Sequence, residues 1–328
     1  MNPTPLDSFL QRPEVPRVLQ GLRARGLSIP DRPTDLQHDW SLPFMRWLVE
    51  ETTAGLDAQL NAEDPPGIIV STHRDIVCDP ALYNLARVEA GRPTTHIVLG
   101  TNLAGRAWVK ELMSLNKALF IDRSLRGKSA LKQQMELSKS IRAVVEDGGH
   151  VWIAQAPGRT KNGCDQTHPG LLRMLALAYR GEDIGVKALN GILRGLAIRY
   201  DRNPCDHRLV VERMLGEKPE GEDEMSMVLG LDGWKGRVQL CEAPVLRLED
   251  DDADLDWVGL AARLDQDIQS LPVHGEWASP AGLQDASFRH HVKKVVQEVQ
   301  RAIPNADTET IAMMVEEVYR EVSGPVEA

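Results

Sequence analysis

The 328-residue chain has no run of 18 or more apolar residues, so no membrane-spanning helix is expected. Its opening, MNPTPLDSFLQRPEVPR, lacks the basic-then-apolar order of a signal peptide. Basic charge is in short supply. The 38 Lys and Arg face 48 Asp and Glu, a net charge of −10, which argues against non-specific nucleic-acid binding as the main role. The four cysteines, Cys78, Cys164, Cys205 and Cys241, are scattered and form no CxxC pair. That predicts reduced thiols in the cytoplasm and neither a disulfide framework nor a zinc site. A GxSxG nucleophile elbow and a GxGxxG fingerprint are also missing. Arg126-Gly127-Lys128-Ser129 imitates the end of a phosphate-binding P-loop, but Asp122 stands where that loop needs its first glycine. No internal repeat or low-complexity tract is present.

What is present is an alternation. Residues 1–60 read as a proline-punctuated helical segment ending near an apolar cluster of Trp40, Leu42, Phe44, Met45, Trp47 and Leu48. Such a cluster suits either core packing or an amphipathic lipid contact. Glu63-Asp64-Pro65-Pro66-Gly67 breaks the chain. Strand-like runs follow at Gly67–Ser71, His96–Leu99, Ala118–Ile121, His150–Ala154, Gly195–Tyr200 and Gly236–Cys241, with helical stretches between them. The clearest helix is Lys128–Glu146, where Leu131, Met135, Leu137, Ser138, Ile141 and Val145 approximate a 3.6-residue stripe and Asp147-Gly148-Gly149 closes the end. Strands separated by helices imply an α/β fold with a mostly parallel or mixed central sheet flanked by helices. An acidic stretch, Glu249–Asp256, marks a second boundary, beyond which Leu255–Leu271, Phe288–Ile303 and Thr308–Val322 read as helices. The expected organisation is an N-terminal helical segment (1–60), an α/β core (61–250) and a C-terminal helical segment (251–328).

Polar residues gather at the predicted strand ends. After the first strand comes Ser71-Thr72-His73-Arg74-Asp75-Ile76-Val77-Cys78-Asp79-Pro80. Imidazole titrates near neutral pH and can take a proton from a hydroxyl, while a carboxylate on its other nitrogen fixes the tautomer and stabilises the imidazolium. His73 with Asp79 is therefore a candidate base and orienting acid, although an isolated His…Asp pair also occurs as a cap or turn. A second block, Asn116 to Ser124, ends a strand in Arg123, and a third, Trp152 to Gly163, runs a strand into a loop with Gly158, Arg159 and Lys161. The fourth is Ile198-Arg199-Tyr200 with Asn203-Pro204-Cys205-Asp206. Four such ends on one sheet suggest a cleft at its carboxyl edge. Seven cations (Arg106, Lys110, Lys117, Arg123, Arg126, Lys128, Lys132) against two acids (Glu111, Asp122) make a basic patch in an acidic chain. That points to an anionic ligand or a membrane surface. His73 and Cys78 lack a matching second pair of metal ligands, so no metal is expected, and His290-His291 reads as helix surface.

In this order and spacing the blocks resemble the glycerolipid acyltransferase family, which acylates glycerol 3-phosphate, lysophosphatidic acid and related acceptors. The likeness covers roughly residues 60–245 and is closest to a bacterial branch whose first motif reads much like His73-Arg74-Asp75-Ile76-Val77-Cys78-Asp79. It continues through Leu99–Ser124, Trp152–Gly163, Asn203–Asp206, Glu222-Asp223 through Gly230, and Lys235–Val238. The resemblance implies His73 as general base and Asp79 as its orienting acid, with direct transfer from an acyl-coenzyme A or acyl carrier protein co-substrate and no other cofactor. It implies Arg123, Arg159 and Lys161 as holders of the acceptor phosphate, backbone amides near Gly158 as oxyanion donors, and a peripheral place at the cytoplasmic face of the cell membrane. The acceptor would be a lysophospholipid or glycerol phosphate. Three features depart from the family pattern. The acid stands six positions after the histidine, with Cys78 at the commoner fifth place. Ala156-Pro157 replaces a glutamate, and Leu193-Arg194-Gly195-Leu196 replaces a proline-bearing run, which would add a cation or reshape the pocket. A non-catalytic or re-specialised lipid-binding protein, and a hydrolase using water as acceptor, are the alternatives these departures keep open.

Overall fold

The computed structural model describes residues 4–179, 185–249, 252 and 254–320. Seven strands make one sheet: β1 (Gly55–Gln59), β2 (Gly67–Ser71), β3 (His96–Gly100), β4 (Ala118–Ile121), β5 (His150–Ala154), β6 (Leu193–Tyr200) and β7 (Arg237–Val245). The spatial order is β1-β7-β6-β2-β5-β3-β4. All neighbours pair in parallel except β6 and β7, so β7 and β1 run against the other five. This is the mixed sheet with flanking helices that the alternation implied. β2 and β5 are buried along their whole length. They read as unbroken apolar runs because a parallel strand in the middle of a sheet is covered on both faces.

Alternation along the central strands divides the core in two. Ile68, Val70, Val151 and Ile153 face one side, covered by helices α6 (Gly127–Glu146), α7 (Pro169–Leu175) and α10 (Trp257–Gln269). Ile69, Trp152, Leu196 and Ile198 face the other, covered by α3 (Leu42–Thr52) and α4 (Cys78–Glu89). The helices α1 (Pro5–Leu10) and α2 (Val15–Ala24) form a small separate core with Trp40 beside α5 (Ala107–Leu115). Beyond the sheet, α8 (Asp206–Leu215) packs with α12 (Ala286–Ala302) and α13 (Thr308–Tyr319) in a fourth core. Among the described residues the other α-helices are α9 (Glu222–Asp232) and the single turn α11 (Pro280–Leu283). Aspartates cap the late helices: Asp256, Asp285 and Asp307 each accept from backbone N–H groups of the first turn of α10, α12 and α13.

One expectation changes, and one choice left open by the sequence is decided. Gly55–Gln59 falls in the segment read as helical, yet it is an edge strand of the sheet. Its five residues, Gly-Leu-Asp-Ala-Gln, are too short a run to signal a strand, and only Leu56 among them packs against the core. The cluster around Trp40–Leu48 is core: Trp40, Leu42, Met45 and Leu48 are buried, while Phe44 and Trp47 stack on each other half-buried. Residues 250, 251 and 253 of the acidic stretch, and residues 321 and 322 of the last expected helix, lie outside the described residues.

Candidate active site

The five strands that run together end at one edge, and the chemistry-bearing segments leave from there. His73 follows β2 in a tight turn that starts α4. Its Nδ1 lies 2.9 Å from Asp79 Oδ2, and its side chain is 15% exposed while that of Asp79 is fully buried. The same Oδ2 accepts from the backbone N–H groups of Arg74 at 2.7 Å and Asp75 at 3.0 Å. Tyr200, at the end of β6, donates its hydroxyl to the other oxygen, Oδ1, at 2.8 Å. Burial, and then the charge of Asp79, push the Tyr200 hydroxyl well above its ordinary pKa, so it stays a donor. Four donors thus hold the carboxylate, and His73 has only Nε2 left for the cleft it lines. Asp75 does a different job. Its Oδ1 accepts from the N–H groups of Val77 and Cys78 at 2.8 and 2.7 Å, closing the turn into α4.

The loop after β5 is tied to this corner at several points. Gln155 N–H donates to Ser71 O at 2.9 Å, and Thr160 N–H donates to His73 O at 2.8 Å. Asp165 accepts from the Arg74 guanidinium and the Thr160 hydroxyl. Gly158 has φ +87°, with open space where a Cβ would point, so a ligand can approach its backbone closely. Farther along, Gly163 (φ +71°) lies against the carbonyls of Glu317 and Arg320 at the end of α13. Arg213 of α8 spans the same contact, donating to Lys161 O and pairing with Glu317 at 2.5 Å. The C-terminal helices therefore brace the loop from behind.

Around His73 the cleft is narrow, with a volume of about 60 Å³, and it opens into an outer cleft of about 620 Å³. Arg123, Gly158 and Arg159 line both parts, and Lys161 lines the outer one. The exposed Arg123 guanidinium makes no ion pair among the described residues. Arg159 is 8% exposed; its Nη2 donates to Ser226 Oγ at 2.9 Å and lies 3.8 Å from Glu222, while its Nη1 is buried without a hydrogen-bond partner. Lys161 pairs with Glu212 at 2.7 Å. A third space of about 430 Å³ shares Arg123 and Pro157 with the outer cleft, but its wall is mainly apolar: Val98, Ile121, Leu125, Ile153, Leu171 and Met174.

The structure brings His73, Asp79, Arg123, Gly158, Arg159 and Lys161 to one cleft. Arg194, Asp206, His291 and Lys117 lie elsewhere. Arg194 lies inside β6, as its second residue, rather than preceding it, so it sits at the opposite end of the sheet, where it pairs with Asp64 at 3.2 Å and lies 3.7 Å from Glu242. It adds no cation to the pocket. Asp206 of the fourth block is buried among the C-terminal helices and accepts from Tyr319 at 2.7 Å, with His291 Nε2 at 2.5 Å. Burial alone would raise its pKa, but bonds from His207, His291 and Tyr319 hold the carboxyl far below the usual range. His291 is consequently half-buried in that network and is not free helix surface. Lys117 is spent on Thr94, to whose Oγ1 it donates at 2.7 Å.

Three further residues of the outer cleft were given no role from the sequence, although two of them fall in blocks that carry the resemblance. Asn102 follows β3, Lys218 lies between α8 and α9, and Asp223 is in the first turn of α9. Asp223 accepts from Lys218 and Asn102, at 2.7 and 2.8 Å. Burial would raise this carboxyl, yet those two bonds and the charges of Lys218 and Arg159 hold it below its ordinary range. Among the described residues no three His, Cys, Asp or Glu side chains gather to hold a metal ion, and no helix is long and apolar enough to cross a membrane.

Residues 56–186 match the family model described as Acyltransferase. That stretch contains all six residues of the cleft named from the sequence. No curated protein sequence matches the chain. Among solved structures it is similar to the crystal structure of the 1-acyl-sn-glycerophosphate (LPA) acyltransferase PlsC from Thermotoga maritima, at 13% identity over 78% of this chain and 87% of that one, with a TM-score of 0.42. It is also similar, at 16% identity over 71% of this chain and 74% of that one and a TM-score of 0.24, to the signal recognition particle receptor FtsY from Elizabethkingia anophelis in complex with GDP.

Proposed function

We propose that this chain moves a fatty acyl group from an acyl thioester, of coenzyme A or an acyl carrier protein, to a hydroxyl of a lysophospholipid or glycerol phosphate. One observation carries the reading: His73 Nε2 opens on a narrow cleft while Nδ1 is locked to a buried carboxylate. That cleft adjoins both a space lined with cations and an apolar groove, which meet at Arg123. The acceptor's anionic group goes to Arg123 and Arg159, with Lys161 in support beside its partner Glu212, and the acyl chain lies along Ile121, Ile153 and Met174.

Chemistry then follows from the orientation. As the acceptor oxygen forms its bond to the thioester carbonyl carbon, the hydroxyl proton passes to His73 Nε2, and Asp79 stabilises the imidazolium. Backbone N–H groups at Gly158 offer donors to the developing oxyanion. Collapse of the tetrahedral intermediate breaks the carbon–sulfur bond, and the thiolate leaves with the proton from the imidazolium. General-base assistance supplies about 10²–10⁴-fold, and the rest falls to positioning and the oxyanion donors. The protein meets its lipid at the inner face of the cell membrane through the cations of 106–132, where Arg106, Lys110, Lys128 and Lys132 are exposed.

Thiol release from an acyl thioester by the purified chain, with and without acceptor, tests this reading. Acceptor-dependent release that His73→Ala abolishes, with the circular dichroism spectrum unchanged, is the expected result. Retained turnover in a folded His73→Ala protein would rule the mechanism out.

A further inference from the structure

The outer cleft is not simply a cation pocket. Of its basic groups, Lys161 is already paired with Glu212 and Lys218 with Asp223, each at 2.7 Å. Asp122 lines the same space. Four cations therefore meet three carboxylates, a surplus of one positive charge. A phosphate monoester brings close to two negative charges at neutral pH. Bound here it would either stand against these carboxylates or have to break both ion pairs.

A different ligand fits without breaking anything. Arg123 makes no ion pair among the described residues, and the buried Arg159 has a donor left over at Nη1. These two meet one anionic group. Asp223 takes a single donor on each oxygen, Lys218 on Oδ1 and Asn102 on Oδ2. A carboxylate oxygen has room for about two donors, so each retains capacity for another. We infer that the acceptor is zwitterionic: a hydroxyl compound carrying an anionic group for Arg123 and Arg159 and, a few atoms away, an ammonium for Asp223. Phosphoethanolamine-headed and amino-acid-headed lysolipids share this chemistry. The inference rests on the acyl-transfer reading above and narrows its acceptor. Against it stands the simpler role in which Asp223 only pins Lys218 and Asn102, and that role has a different consequence: neutralising Asp223 would then affect every acceptor alike.

The test compares kcat/KM for thiol release with lysophosphatidylethanolamine, lysophosphatidylserine, lysophosphatidylcholine, lysophosphatidylglycerol and lysophosphatidate, all in one detergent. The two ammonium-bearing acceptors with hydrogen-bonding N–H groups should lead lysophosphatidate by about tenfold, the contribution of one charge-assisted hydrogen bond. Which of the two is faster separates the ethanolamine source from the amino-acid source. Asp223→Asn should remove that lead and leave lysophosphatidylglycerol, which has no ammonium, the least affected. Lysophosphatidate equal or better with the native chain, or an equal loss on all acceptors in Asp223→Asn, would overturn the inference. Calorimetric binding of glycerophosphoethanolamine against glycerol 3-phosphate is read alongside turnover. Tighter glycerol 3-phosphate binding overturns the inference whether or not the chain turns over. Preference for glycerophosphoethanolamine with no thiol release from any acceptor supports it and sinks the transfer chemistry instead.

Discussion

Asp79→Asn asks whether charge or tautomer is what Asp79 supplies. Three donors converge on Oδ2, namely His73 Nδ1 and the N–H groups of Arg74 and Asp75, and one donor, the Tyr200 hydroxyl, reaches Oδ1. An asparagine has one oxygen to offer. The two backbone N–H groups cannot turn away, so the oxygen keeps the Oδ2 place and the NH₂ faces Tyr200. The phenol hydroxyl can rotate to accept from it. His73 then still donates from Nδ1, and Nε2 remains a base. What disappears is the negative charge beside the imidazolium. A hydrogen bond to a charged acceptor is worth about 1.5–3 kcal/mol and one to a neutral acceptor about 0.5–1.5 kcal/mol. The lost Coulomb attraction adds at most about 4 kcal/mol at an effective dielectric near 20. A net loss of about 2–4 kcal/mol, felt only once the proton has moved, lowers kcat by roughly 30- to 1,000-fold and leaves KM for the acceptor unchanged. Steady-state thiol release measures both constants. A loss of about 10⁴-fold, the size seen when the histidine is left in the wrong tautomer, would show that the amide had turned and that the convergence on Oδ2 is not what orients it. A loss below about threefold would remove Asp79 from the mechanism. Asp75→Asn is the control: its Oδ1 serves the turn into α4, so kcat should fall less than in Asp79→Asn.

Asp265 in α10 accepts from Thr167 N–H and Oγ1, and burial, opposed by those bonds and aided by the charge of Asp165, pushes its pKa up from 3.8 to about 6. Because the folded value lies above the unfolded one, the folded chain holds this proton more tightly. The stabilisation is complete below about pH 4 and is lost as pH rises through about 6, roughly 1–3 kcal/mol in all. Urea denaturation between about pH 4 and 8 should show that fall in the native chain and its absence in Asp265→Asn, whereas equal slopes in the two proteins would refute the assignment. Gly163→Ala places a Cβ against the carbonyls of Glu317 and Arg320 at a positive φ, so it should loosen α13 from the Arg159 loop, lower the unfolding free energy by about 1–3 kcal/mol and raise KM for the acceptor more than it lowers kcat. Unchanged KM with a normal unfolding midpoint would mean that α13 does not brace the loop.

The parts of the site that could be read from the sequence are those made locally. His73 and Asp79 are six residues apart across one strand-to-helix turn, and β2 and β5 announce themselves as buried apolar runs. β1 did not, since a five-residue edge strand with three exposed residues and one core-packed leucine is too short a run to stand out in a helical segment. Arg194 was misplaced by two residues of strand start: reading the strand from Gly195 left the arginine outside it, while the observed start at Leu193 sends it to the far end of the sheet. The second carboxylate layer of the cleft was out of reach for a further reason. Lys218 and Asp223 stand in Gly216-Glu217-Lys218-Pro219-Glu220-Gly221-Glu222-Asp223-Glu224, which has the composition of a solvated loop and helix start. Nothing local separates Glu220 and Glu224, which lie outside the cleft lining, from Asp223, which accepts from Asn102 across 121 residues of chain. On the acceptor inferred above, that one carboxylate decides whether the cleft reads as a phosphate pocket or as a site for paired charges. A histidine and its carboxylate can be mounted by a short turn, but the charge balance of the cleft is assembled only when distant strand ends and helix starts arrive at the same edge of the sheet.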